Sequence, residues 1–155
     1  MTKGFFEKIE TKEFTMEDID CVLKIQEELK KSNSYSFLCD KMFIEVLNEL
    51  QSSGSLFGRI AYIGDKPVGL IFGDTRPKWY SGPECGWLIA IVVLPEYRRQ
   101  GVGRRLIAEF FDKVRELGLR KVCAMVEFAD EETLAFLRKM GFKRGKLVYF
   151  EKQIY

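Results

Sequence analysis

The chain has 155 residues, of which 46% are hydrophobic and 31% charged, with a formal net charge of +2. That length carries one domain with a real core. The composition excludes a disordered chain, and the near-neutral charge gives no general reason to expect nucleic acid or an anionic membrane as partner.

No run approaches the roughly 18 apolar residues of a membrane span, and the N-terminal MTKGFFEKIETKEF carries acids too early for a signal peptide. Cys21, Cys39, Cys85 and Cys123 are far apart with no CxxC pair, which reads as reduced thiols in a cytoplasmic setting rather than a disulfide frame or zinc site. The absence of histidine removes Ser-His-Asp and Cys-His machinery and histidine-based metal sites.

In chain order, residues 4–14 include a first strand, and Thr15 with Glu17 and Asp18 behind it marks a helix start. Ile19, Val22, Leu23 and Leu29 form its apolar stripe up to the KKSNS break. Leu38, Met42, Phe43, Val46, Leu47 and Leu50 mark a second helix that stops at SSGS. The period then changes. LFGRIAYI, GDKP and VGLIFGD read as strand, turn and strand. A Pro- and Gly-rich loop, 76–86, leads to the apolar strand 87–94, too continuous to have a wet face along its length. A strongly amphipathic helix runs from Gly103 to about Leu117 and Gly118 stops it. A strand over 121–128, a helix over 130–140 closed by Gly141, and a strand over 147–154 complete one α/β domain spanning 1–155, with a mixed sheet and about four helices.

RRQGVGRRL, residues 98–106, sits where the apolar strand meets that helix. The first N–H groups of a helix lack intrahelical partners, and the dipole adds roughly half a positive charge there. Gly101 and Gly103 let a phosphate approach the backbone, and Arg98, Arg99, Arg104 and Arg105 add charge. Two glycines by themselves also suit a tight turn beside solvated arginines. Neither GxxxxGK[ST] nor GxGxxG is present, since Leu106 follows Gly103 at the third place.

The stretch IVVLPEYRRQGVGRRLI resembles the coenzyme A motif of the GNAT (Gcn5-related N-acetyltransferase) superfamily, with Val93, Pro95, Arg98, Gly101 and Gly103 at the expected offsets. DEETLAFLRKMGF, residues 130–142, is similar to the family's second signature, and the order of elements fits over nearly the whole chain. The resemblance implies a GNAT fold whose fourth and fifth strands splay apart around acetyl-CoA. It implies that backbone groups of Ile91 and Val93, on either side of Val92, bind the pantetheine arm like an added strand. The amides of Arg99, Gln100, Gly101, Val102, Gly103 and Arg104 would then cradle the pyrophosphate after Arg98. The implied activity is transfer of acetyl from acetyl-CoA to a primary amine by direct attack in a ternary complex, without a metal. The acceptor is a small molecule or a protein or peptide, and family habit allows a homodimer.

The family pattern is broken in places. Asp130 stands where Asn is frequent, Thr133 where Ala is, and Leu137 where a Tyr is placed to protonate the departing thiolate. Leucine cannot donate a proton, which leaves Tyr149 and Tyr97 as substitutes. Trp87 occupies the place of an occasional glutamate base, so Glu84 and Glu127 are the carboxylate candidates, with a water chain as the alternative. For these acids a solvated surface role stands beside the catalytic one. Trp79, Tyr80 and residues 32–37 either shape an acceptor pocket or cover the core edge. The departures also admit a non-catalytic acyl-CoA sensor or interaction module on the same fold. RRQGVGRR as a nucleic-acid patch is disfavoured by the charge balance and the lack of interleaved aromatics.

Overall fold

The computed structural model describes residues 8–32, 41–76 and 84–155. It divides into two compact units, Met1–Met125 and Val126–Tyr155. In the first unit, strand β1 (Ile9–Glu13) leads through a short 3-10 turn (Met16–Asp18) into helix α1 (Ile19–Lys31). Asp18 closes that entry, its carboxylate accepting from the Thr15 N–H at 2.9 Å and the Thr15 hydroxyl at 3.3 Å. Helix α2 (Lys41–Ser52), strands β2 (Leu56–Ile63), β3 (Lys66–Asp74) and β4 (Gly86–Val93), helix α3 (Val102–Glu116) and strand β5 (Val122–Ala124) follow. The sheet order is β1-β2-β3-β4-β5, antiparallel except for the parallel β4–β5 pair.

The sheet is covered on both faces. On one, α1 and α2 supply Val22, Ile25, Leu29, Phe43 and Leu47 to a core shared with Phe14, Ile60, Leu70, Phe72 and Ala90. Phe72 is its centre, with the Phe14 ring edge-on at 4.8 Å and Phe43 at 5.6 Å. On the other, α3 lies in a trough of glycines. A Cβ on Gly69 would meet the Val92 carbonyl at 2.9 Å and Val102 at 3.1 Å; one on Gly86 would meet Val114 at 2.5 Å; one on Gly73 would collide with the Phe110 ring. Three absent side chains therefore set the height of α3 and the place of its first turn.

Two features of β4 bear on function. Its pairing with β5 covers only Gly86, Trp87 and Leu88, so beyond Leu88 the strand leaves β5. At that point Phe72 faces Ala90 whereas Gly73 faces Leu88. Ile89 is thus an extra residue, a bulge that sharpens local twist and re-aims the backbone. The splay expected of the fourth and fifth strands is present. The expected strand over 121–128 is shorter, ending at Ala124, because its ladder has a partner only up to Leu88.

The chain leaves β3 through a clamp. The Asp74 carboxylate, 3% exposed, accepts from Arg76 at its backbone N–H (2.9 Å), Nε (2.9 and 3.1 Å) and Nη2 (2.7 Å). Arg76→Ala would leave a buried carboxylate short of donors. Urea unfolding is expected to show a loss of about 1–3 kcal/mol.

The second unit holds helix α4 (Glu131–Lys139). Asp130 caps it, Oδ1 accepting from the Thr133 N–H at 3.1 Å, a service Asp and Asn perform equally well. Its departure from the family residue is conservative in that sense. Gly141, at φ +91°, ends the helix, and Phe142 donates back to the Leu137 carbonyl at 3.0 Å. The strand expected over 147–154 is not formed. Leu147, Val148, Tyr149 and Phe150 are 65–89% exposed, so no buried face sustains a two-residue period there.

Candidate functional site

The β4–α3 junction is built by a sequence of local constraints. Val93 ends the strand, Pro95 opens a 3-10 turn (Pro95–Tyr97), and the N–H groups of Tyr97 and Arg98 bond back to Leu94 (2.9 Å) and Pro95 (3.3 Å). Arg99 then takes φ +61°, the only non-glycine positive φ among the described residues. A non-glycine residue there costs of order 1–3 kcal/mol and is found chiefly where function needs it. Gly101 follows at φ +89° as the N-cap of α3, and the first helical bond runs from Arg105 N–H to the Gly101 carbonyl at 3.0 Å. The N–H groups of Gly101, Val102, Gly103 and Arg104 are left without intrahelical acceptors. With the left-handed Arg99 before them, these amides form a concave donor set of the kind that receives an anion.

The strand beside this turn offers a second set of backbone groups. Leu94 donates to the Val68 carbonyl across β3 at 2.8 Å. Successive residues of an antiparallel strand alternate the edge their polar groups face, and no register shift intervenes between Ile91 and Val93. The N–H and C=O of Ile91 and Val93 therefore face the edge that β5 has left, while Val92 faces β3. An extended amide-bearing chain could continue the ladder there.

The four arginines have different partners. Arg98 Nε donates to the Val93 carbonyl at 2.9 Å. Arg105 Nε lies 4.0 Å from Glu109, which also takes the Thr11 hydroxyl at 2.7 Å and lies 4.0 Å from Arg59 Nε. Arg105 is thereby drawn toward β1 and β2. Arg104, one 100° helical step away, is exposed, as is Arg99. Gln100 donates to the Glu96 carbonyl at 3.0 Å.

The candidates for proton transfer are divided between the two units. Glu84 is exposed just before β4, at the opposite end of that strand from Arg98. Tyr97 lies partly buried in the 3-10 turn, with Lys66 Nζ 5.4 Å from its ring centre. Glu127 and Tyr149 are exposed residues of the second unit. The Tyr149 hydroxyl donates to Glu151 at 3.2 Å, and this bond, then the carboxylate's charge, raises its pKa. Leu137 is buried. Trp79, Tyr80 and residues 33–37 lie outside the described residues, as does Cys39.

Burial pushes the Cys85 thiol up to about 12, helped by a hydrogen bond with the Cys123 thiol. At pH 8 only about one molecule in 10⁴ would carry that thiolate. Iodoacetamide at pH 8 should leave Cys85 unmodified in the folded protein and label it after denaturation, read by peptide mass mapping.

Among the described residues no group of three or more acidic, cysteine or histidine side chains is placed to hold a metal, and no helix is long and apolar enough to cross a membrane.

The statistical model of the acetyltransferase (GNAT) family matches residues 22–142, most of the chain. The chain belongs to the GNAT family. This GNAT chain is 27% identical over 94 residues to N-alpha-acetyltransferase 30 of Schizosaccharomyces pombe, a match covering 60% of this chain and 61% of that protein. It is 24% identical over 115 residues to aminoglycoside N(6')-acetyltransferase type 1 of Acinetobacter haemolyticus, covering 72% of this chain and 79% of the relative. Its fold is similar to the apo crystal structure of aminoglycoside 6'-N-acetyltransferase AAC(6')-IG from Acinetobacter haemolyticus (TM-score 0.75, 22% identity, 94% of this chain and 99% of the other). AAC(6')-Iy, solved with the bisubstrate analogue CoA-S-monomethyl-acetylneamine, is similar at TM-score 0.75 and 16% identity, again over 94% and 99%.

Several determinants of the GNAT junction escape a reading of the sequence. The Ile89 bulge, the left-handed Arg99 and the Arg98–Val93 bond carry no residue signature. The Arg105–Glu109 pair does, as an i, i+4 spacing of opposite charges.

Proposed function

We propose that this chain is an N-acetyltransferase that takes acetyl from acetyl-CoA and passes it to a primary amine by direct attack in a ternary complex. The observation that carries the reading is the union of two backbone donor sets. The open edge of β4 at Ile91 and Val93 runs straight into the amides of Arg99–Arg104 around the start of α3. The first suits the amides of a pantetheine arm, and the second suits a diphosphate. The residues present thus fit the co-substrate, and the named relatives point to the same chemistry.

Acetyl-CoA, when bound, supplies an activated acetyl thioester. What the protein would contribute is an edge that orients the arm, a positive helix mouth for the phosphates, and the N–H of Ile91 as the donor proposed for the oxyanion. Arg99 and Arg104 add unshared charge, while Arg98, Gln100 and Arg105 shape the turn. An attacking amine must lose a proton, and Glu84, Glu127 and Tyr149 are the groups proposed for proton transfer. Glu84→Gln, Glu127→Gln and Tyr149→Phe, made singly, identify the participant as the variant whose kcat falls by about a hundredfold or more.

The acceptor proposed first is a small polyamine of the amino-sugar kind, on the strength of the aminoglycoside acetyltransferases among its relatives. A peptide N-terminus is the second, from the resemblance to N-alpha-acetyltransferase 30. Setting, by the thiol argument, is cytoplasmic. Following thiol release from acetyl-CoA with aminoglycosides, short peptides and lysine tests the reading directly. Intersecting double-reciprocal plots are expected for a ternary complex. Tight CoA binding with no release for any amine would select the non-catalytic sensor, the reading that the buried Leu137 favours.

A further inference from the structure

We infer that Arg98 is a positioning residue that sets the cofactor site through the Val93 carbonyl rather than by charge on a phosphate. The inference rests on the cofactor reading above and deepens it. Val93 is the last residue of β4, and its polar groups face the edge vacated by β5. Arg98 reaches back five residues and donates Nε–H to that carbonyl at 2.9 Å, in a partly buried setting. The bond closes a ring around Leu94, Pro95, Glu96 and Tyr97. It ties the end of the open edge to the residue immediately before the left-handed Arg99.

Two consequences follow. The arm site and the phosphate site are tied to one another, because this bond restrains the distance between the strand's last polar group and the first amide of the turn. The Val93 carbonyl also already holds a charged donor, so an arm lying along this edge would meet a carbonyl shared with Arg98. In this arrangement the guanidinium stands at the boundary between the two sites and serves both. A phosphate-contacting arginine would serve only one.

The test uses two acyl donors, acetyl-CoA and S-acetylpantetheine, which lacks every phosphate. Wild type, Arg98→Met and Arg98→Lys are compared by kcat and KM with one accepted amine, and by calorimetry with CoA. Loss of a hydrogen bond from a charged donor predicts that Arg98→Met raises KM for both donors by a similar factor of about ten or more, with kcat changed less than about threefold. Arg98→Lys, which keeps the charge and loses the guanidinium fork, should show the same parallel loss. A loss confined to acetyl-CoA, or rescue by lysine of acetyl-CoA but not of S-acetylpantetheine, would make Arg98 a phosphate contact and overturn the inference. So would unchanged KM values for both donors. If Arg98→Met does not fold, Arg98→Lys decides alone by the same comparison. Failure of wild type to bind CoA at all would instead remove the cofactor reading itself.

Discussion

Replacing Gly101 and Gly103 together by valine should raise the CoA dissociation constant by at least about a hundredfold, or about 2.8 kcal/mol. Two different costs combine. Gly101 has φ +89°, where a residue with a Cβ is strained by roughly 1–2 kcal/mol and shifts the N-cap. Gly103 is ordinary helix, so its service is closeness: the amide can meet a phosphate with no side chain between. The single variants separate these. Gly103→Ala keeps an ordinary helical backbone and is expected to leave the fold at least as stable, while CoA affinity falls. Higher stability with lower affinity would exclude general damage as the cause. Calorimetry with CoA and a urea titration give the two numbers, and unchanged affinity in the double variant would place the cofactor elsewhere.

Phe110→Ala should be the most damaging single change in the first unit, costing about 3–5 kcal/mol. The ring is fully buried, lies 5.1 Å from that of Phe57, and fills the space over Gly73. One wall of the void is the backbone of Gly73, which has no side chain to move into it. For a chain of this size the melting temperature should fall by about 10 °C or more. Part of that loss is recoverable. CoA at a hundred times its dissociation constant is expected to return about 2.7 kcal/mol, because a ligand that binds the folded chain alone stabilises it by mass action. No rise in melting temperature with CoA, in wild type or in the variant, would overturn the cofactor reading.

Most of the architecture was readable in the sequence because its signals were periodic. The stripe of Leu106, Ile107, Phe110 and Val114 locates α3 to within a residue, and GDKP between two apolar runs locates the β2–β3 turn. The Gly101 turn was readable for a different reason, that glycine and arginine there follow a known spacing. What was lost depended on partners distant in sequence. VCAMVEF has strand composition throughout, yet it pairs only as far as Leu88 extends beside it. LVYFEKQI alternates well enough, but it has no ladder among the described residues. The proton-transfer groups were the least legible, since a carboxylate such as Glu84 acquires a role only from what stands near it in space.

The extra residue at Ile89 makes the length of β4 matter more than its spelling. Below it the strand is held by β3 on one side and β5 on the other. Above it, odd-numbered residues turn their amides away from β3, and even-numbered ones stay inside the sheet. Removing one residue above it, between Ala90 and Val93, would exchange those two sets for the residues that follow, whereas removing Ile89 itself would leave them in place. With the sets exchanged, the edge proposed for the arm would be lost even if every remaining side chain were apolar and well chosen. In this stretch of β4 the number of residues is therefore a constraint separate from their kind.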